Sequence, residues 1–164
     1  MKSCVHSSAA NALRMRYDAM NRRHHQTQWA AQFAVASELC RRGNQVALTM
    51  GNHPKIDLMV LSPNGRPYFV DVKGQYKGPN PWPVTPKRKT AELLFYVFAF
   101  VPDPGDGSLR FTVLSQDEVN AHVAETTAKW KARKLERADK EDPMPCVSAD
   151  YVKKNDGGWD KLPK

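Results

Sequence analysis

The sequence predicts a single α/β domain with a central mixed β-sheet flanked by helices. Three observations carry this. An alanine-rich stretch of helical periodicity is followed directly by three short apolar runs of strand length. The run "LLFYVFAFV" (93–101) is continuously apolar and rich in aromatics, as suits a strand buried on both faces. A helix signature then opens at Ser115, with Glu118 three residues on to complete a capping box. At 164 residues the chain is long enough for one domain with a real core.

In chain order, residues 1–25 read as a flexible basic arm and 26–164 as the domain. In "QTQWAAQFAVASELCRRG", Trp29, Phe33, Ala36 and Cys40 recur at helical spacing, which predicts a helix over 26–42 with these residues on its core face. Arg41 and Arg42 suit the negative end of the helix dipole, and Gly43 suits the C-cap. The small residues imply close packing on a sheet. "QVALTM", "KIDLMVLS" and "RPYFVDVK" are strand candidates. "GQYKGPNPWPVTPKRKT" is broken by prolines and glycines and reads as a loop. "RFTVLS" is the hairpin partner of 93–101. The last residues, from 143, read as irregular, with Val147, Tyr151, Trp159 and Leu162 packing down.

A net charge of +8 favours a polyanionic partner, nucleic acid above all. Three cysteines without CxxC spacing argue against a disulfide scaffold or a zinc site and point to a reducing cytoplasm. No apolar run approaches membrane-spanning length, and the first residues lack a secretory signal's apolar segment.

The most informative stretch is "KIDLMVLSPNGRPYFVDVKG" (55–74), a hairpin with charged residues inside its strands. Asn64-Gly65 alone fits a two-residue turn. Pro63, with φ fixed near −65°, fits a type I turn followed by a left-handed Gly65, a three-residue loop that pairs Ser62 with Arg66. Met59 then faces Phe69 and Asp57 faces Asp71. Ile56, Leu58, Val60, Tyr68, Val70 and Val72 form a wholly apolar face, while Asp57, Asp71 and Lys73 share the other. Two facing carboxylates about 4.5–5.5 Å apart at Cβ repel one another. Lys73 eases that repulsion, and a divalent cation with oxygen ligands, Mg²⁺ or Mn²⁺, relieves it better. The plain alternative is an Asp–Lys salt bridge at a strand end.

A helix with Glu38 ("ASELCRRG"), a strand with Asp57 ("KIDLMVL") and a strand with Asp71-Val72-Lys73 ("VDVKG") together resemble the PD-(D/E)xK nuclease superfamily over about residues 26–101. Ile56 stands where the motif's proline would be. The resemblance implies an αβββαβ, restriction-endonuclease-like core and a Mg²⁺- or Mn²⁺-dependent endonuclease acting on DNA. It implies Asp57, Asp71 and the Val72 carbonyl as metal ligands, Glu38 as a supporting ligand, and Lys73 as the group that orients water and stabilises charge at the phosphate. It also implies a possible homodimer. Gln75 continues the Asp71/Lys73 alternation and is adjacent to such a site. Lys77, Lys87, Arg88 and Lys89 are candidate phosphate contacts, and Trp82 either stacks on a base or packs in the core. The alternatives are an inactive nucleic-acid-binding module on the same fold and a protein-interaction domain.

Overall fold

The computed structural model describes residues 24–49, 56–76, 80–84, 93–134 and 144–164. Helix α1 (residues 24–41) leads into β1 (Gln45–Leu48), β2 (Leu58–Leu61) and β3 (Pro67–Gln75). Then come the two-residue β4 (Trp82–Pro83), β5 (Leu94–Phe100), β6 (Arg110–Ser115) and α2 (Gln116–Lys134). The chain continues through β7 (Cys146–Val147), α3 (Ala149–Lys154) and a 3₁₀ turn at Trp159–Lys161. Five strands form one mixed sheet in the order β1-β2-β3-β5-β6, antiparallel except for the parallel β3–β5 pair. Of the expected 1–25 arm, residues 24 and 25 are helical and the remainder lies outside the described residues.

The strand alternation separates two cores. One face carries Leu58, Val60, Tyr68, Val70, Val72, Phe95 and Val97, and α1 covers it with Ala31, Val35 and Leu39. The opposite face carries Leu94, Tyr96, Phe98 and Leu114, covered by Val119 and Val123 of α2 and by Trp82, Val147 and Val152. β5 feeds both cores, which explains its unbroken apolar sequence; six of its seven residues are buried.

The hairpin takes the three-residue loop. Ser62 N–H donates to the Arg66 carbonyl at 2.9 Å and Gly65 N–H to the Ser62 carbonyl at 2.9 Å. Gly65 has φ +77°, in the left-handed region. Leu61 therefore pairs with Pro67 and Met59 with Phe69. α1 ends as read: Gly43 N–H bonds to the Cys40 carbonyl and Asn44 N–H to the Leu39 carbonyl, the paired bonds of a Schellman motif. The capping box at α2 is also present. Glu118 accepts from Ser115 N–H at 2.7 Å, and Ser115 Oγ accepts from Glu118 N–H at 3.2 Å.

Three expectations are corrected. The buried stripe of α1 is Ala31, Val35 and Leu39, whereas Trp29 (40% exposed) and Phe33 (56%) face outward, stacked on each other at 5.6 Å. Cys40 is exposed. The cause is the closeness of α1 to β3: a Cβ on Gly74 would lie 2.8 Å from Ala31 Cβ, so no ring fits between helix and sheet. Second, the proline-rich 74–90 stretch is not all loop, because Trp82 and Pro83 pair with Val147 and Cys146. Third, the segment from 143 includes β7, and Ser148 caps α3 by accepting from Tyr151 N–H.

Candidate functional site

β3 outlasts β2. The ladder's last rung pairs Leu58 with Val70, and Asp57 N–H bonds to the same Val70 carbonyl at 3.0 Å. Two residues thus address one, the pattern of a β-bulge, and it re-aims the side chain at the end of the strand. Asp57 is consequently not a square partner of Asp71. Its carboxylate swings to β3, where Oδ2 accepts from Val72 N–H at 2.7 Å. That amide is the one joining Asp71 to Val72, so the Asp57 carboxylate borders the backbone of Asp71. Asp57 Oδ1 accepts from Gln32 Nε2 of α1, also at 2.7 Å.

Asp71 and Lys73 project from β3 toward the face that carries Tyr96, Phe98 and Leu114. Asp71 is 4% exposed, and Lys73 Nζ sits 2.8 Å from its Oδ1. A buried carboxylate without a cation is costly, and this ion pair supplies one. Tyr96, paired with Asp71 across the parallel ladder, feels that charge. Burial first and the Asp71 carboxylate second push its phenol above the ordinary range.

α1 contributes two glutamines that the sequence reading missed. Gln28 Nε2 donates to the Val72 carbonyl at 2.9 Å, and Gly74 N–H donates to Gln28 Oε1 at 3.2 Å. Its amide thereby stands in for a peptide of the missing neighbour strand. Gln32 holds Asp57. The available signal was positional: residues 28, 32, 35 and 39 make one helical stripe, and a glutamine on a stripe that ends in Val35 and Leu39 must reach a polar partner.

The remaining candidates fall elsewhere. Glu38 lies six residues beyond Gln32, about 9 Å of helix rise, and its carboxylate accepts from Arg41 Nη1 and Arg42 Nε, both at 2.9 Å. The helix presents Gln28 and Gln32 to the hairpin, not Glu38. The Val72 carbonyl is the acceptor for Gln28. Gln75 follows Lys73 on the same face and donates from Nε2 to the Asn80 carbonyl at 3.0 Å. Trp82 is a core residue, buried edge-on against Phe98 at 5.4 Å between centroids. Lys77, Lys87, Arg88 and Lys89 lie outside the described residues.

Among the described residues, no three His, Cys, Asp or Glu side chains gather in a group able to hold a metal ion. The candidate ligands at the hairpin are the carboxylate oxygens of Asp57 and Asp71, while Gln32 turns its Nε2 to Asp57. Such a set suits a hard ion. Mg²⁺ needs only one or two protein carboxylates, the rest coming from waters and substrate phosphate. Compared with protein-family models, curated proteins and solved structures, the chain finds no match. No helix among the described residues is long and apolar enough to cross a membrane.

Proposed function

We propose that this chain is a divalent-metal-dependent nuclease that hydrolyses phosphodiester bonds, with DNA as substrate. One observation carries the reading. The Asp57 carboxylate accepts from the amide that joins Asp71 to Val72, and the Lys73 ammonium lies 2.8 Å from Asp71, so the backbone of Asp71 links an acid from the end of β2 to an acid–amine pair on β3. The strand order and the parallel β3–β5 pair are consistent with a restriction-endonuclease-like core. The net charge of +8 suits a polyanionic substrate.

In this reading Asp57 and Asp71 would hold Mg²⁺ or Mn²⁺. Such an ion supplies a water of lowered pKa and neutralises charge on the phosphate. Lys73 places its ammonium against a non-bridging phosphate oxygen and stabilises the charge that develops there in the transition state. Gln32 and the Val72 amide fix the Asp57 carboxylate in one orientation, so little reorganisation is left for the reaction.

The test is cleavage of single-stranded, duplex and branched DNA, and of RNA, in Mg²⁺ or Mn²⁺. Lys73→Ala and Asp71→Asn are run beside the unaltered protein, with circular dichroism as the check on folding. Loss of cleavage in both folded variants is expected. Cleavage that survives both refutes the assignment.

A second reading, a nucleic-acid-binding module without hydrolysis, is favoured by one specific feature. The helix meets Asp57 with the neutral amide of Gln32 rather than with a further acid. Steeply salt-dependent binding with no cleavage in either metal selects that reading.

A further inference from the structure

On the face of the sheet that carries Asp71 and Lys73, β3 continues to Gln75, and there a cleft of about 400 Å³ opens between the sheet and α3. Two residues along a strand is about 7 Å, so the cleft begins roughly two stacked nucleotide steps from Lys73. Behind its walls lie the buried rings of Trp82 and Phe98, and Phe100 is the half-buried aromatic that a ligand can reach. Arg110 lies over the Phe100 ring at 4.6 Å, a cation–π pair at the mouth. Lys153, Asp150 and Asp156 complete a rim whose formal charges, with Arg110, cancel.

We propose that this cleft holds an unpaired base of the substrate strand, which makes single-stranded or end-frayed nucleic acid the substrate class. A rim with two cations and two carboxylates does not concentrate phosphate. It does offer donors and acceptors around the Phe100 ring, the surroundings that a neutral, planar ring with a hydrogen-bonding edge requires. The volume falls low in the range of small-ligand sites, about 300–1,000 Å³, and so admits a base with its sugar but not a duplex. Continuity with Lys73 along β3 fixes the occupant: a strand whose phosphate meets Lys73 delivers a base about two stacked steps along it to Gln75 and Phe100.

The inference rests on the nuclease reading, and the experiment separates the two. The full chain is titrated by fluorescence anisotropy in EDTA, where metal-dependent hydrolysis is silent. The probes are a labelled oligothymidylate, the same strand with abasic sites, and a blunt duplex of equal length. The oligothymidylate is expected to bind about tenfold more tightly than the abasic strand, and more tightly than the duplex. Phe100→Leu, which keeps the apolar volume but removes the π face, is expected to abolish that advantage, and Phe100→Trp to retain it. Equal affinity for thymidylate and abasic strands, preference for the duplex, no binding at all, or indifference to Phe100→Leu overturns the proposal. Cleavage in Mg²⁺ and its loss in Lys73→Ala report on the nuclease reading alone.

Discussion

Gly74→Ala tests how the helix is seated on the hairpin. The new methyl carbon would lie 2.8 Å from Ala31 Cβ, 3.0 Å from the Thr27 carbonyl and 3.3 Å from Gln28 Oε1. Carbon atoms in contact sit at about 3.5–4.0 Å, so α1 and β3 must separate by about 0.7–1.2 Å. Neither nearest atom is the end of a flexible chain that swings aside. Overpacking of this kind costs about 1–3 kcal/mol. The same movement stretches the Gly74 N–H bond to Gln28, already 3.2 Å, beyond useful range and strains the Gln28–Val72 bond, for about 1 kcal/mol more. The expected loss is about 2–4 kcal/mol. With a urea m-value of about 2 kcal/mol/M, the midpoint falls by about 1–2 M with m unchanged. Ala31→Gly removes the nearest contact. Alone it destabilises by about 1 kcal/mol through helix propensity, but combined with Gly74→Ala it recovers part of the loss, a coupling of about 1 kcal/mol. A midpoint within about 0.3 M of the parent, or strict additivity of the two changes, refutes the close-seating account.

Three further outcomes are expected. His122 stacks on Tyr151 at 3.9 Å, and its Nε2 lies 3.4 Å from Ser148 N–H, a bond it accepts in the neutral form. Burial, then the Lys129 charge, hold its pKa below 6.5 against the opposing pull of Glu125. This contribution to stability is therefore complete above pH 6.5 and is lost as the pH falls through the depressed value. Melting temperatures measured down to about pH 5 should show that decline, and His122→Gln should flatten it. Glu118→Ala removes the cap on Ser115 N–H and the 2.7 Å Lys161 contact, lowering stability by about 1 kcal/mol in urea titrations. Burial raises the Glu118 pKa, but the bonds from Lys161 and Ser115 outweigh it and leave the carboxyl below 4.5, so its contribution disappears as the pH drops below that value. Gln32→Glu replaces a 2.7 Å donor to Asp57 with a like charge, at about 1–3 kcal/mol without divalent ions. A thermal-shift assay should then show a larger Mg²⁺-induced rise in melting temperature than the parent protein gives.

The hairpin was legible because its determinants are local. Pro63, Asn64 and Gly65 fix the turn, and a turn fixes the register of every residue up to Leu58. The Ser115/Glu118 cap and the doubly buried β5 were legible for the same reason. What escaped was set by distance in the chain. The rings of Trp29 and Phe33 carry the helical period as well as Ala31 and Val35 do. Only the approach of Gly74, more than forty positions on, decides which stripe faces the sheet. Where β2 stops is not encoded in its own residues either, so the swing of Asp57 and the use of Gln28 and Gln32 could not be read. β4 and β7 are too short to show a period and exist only because they find each other.

The pairing of Gln28 with β3 has a consequence for solubility. A strand that extends past its neighbour exposes N–H and C=O groups on which another chain can add a strand, a route to aggregation. Here the Val72 N–H, the Val72 carbonyl and the Gly74 N–H are all occupied by side chains. Two residues already implicated in holding the hairpin thus act as a plug against intermolecular β-addition. Gln28→Ala would reopen that template, so the variant should become aggregation-prone on storage even where its melting temperature is little changed.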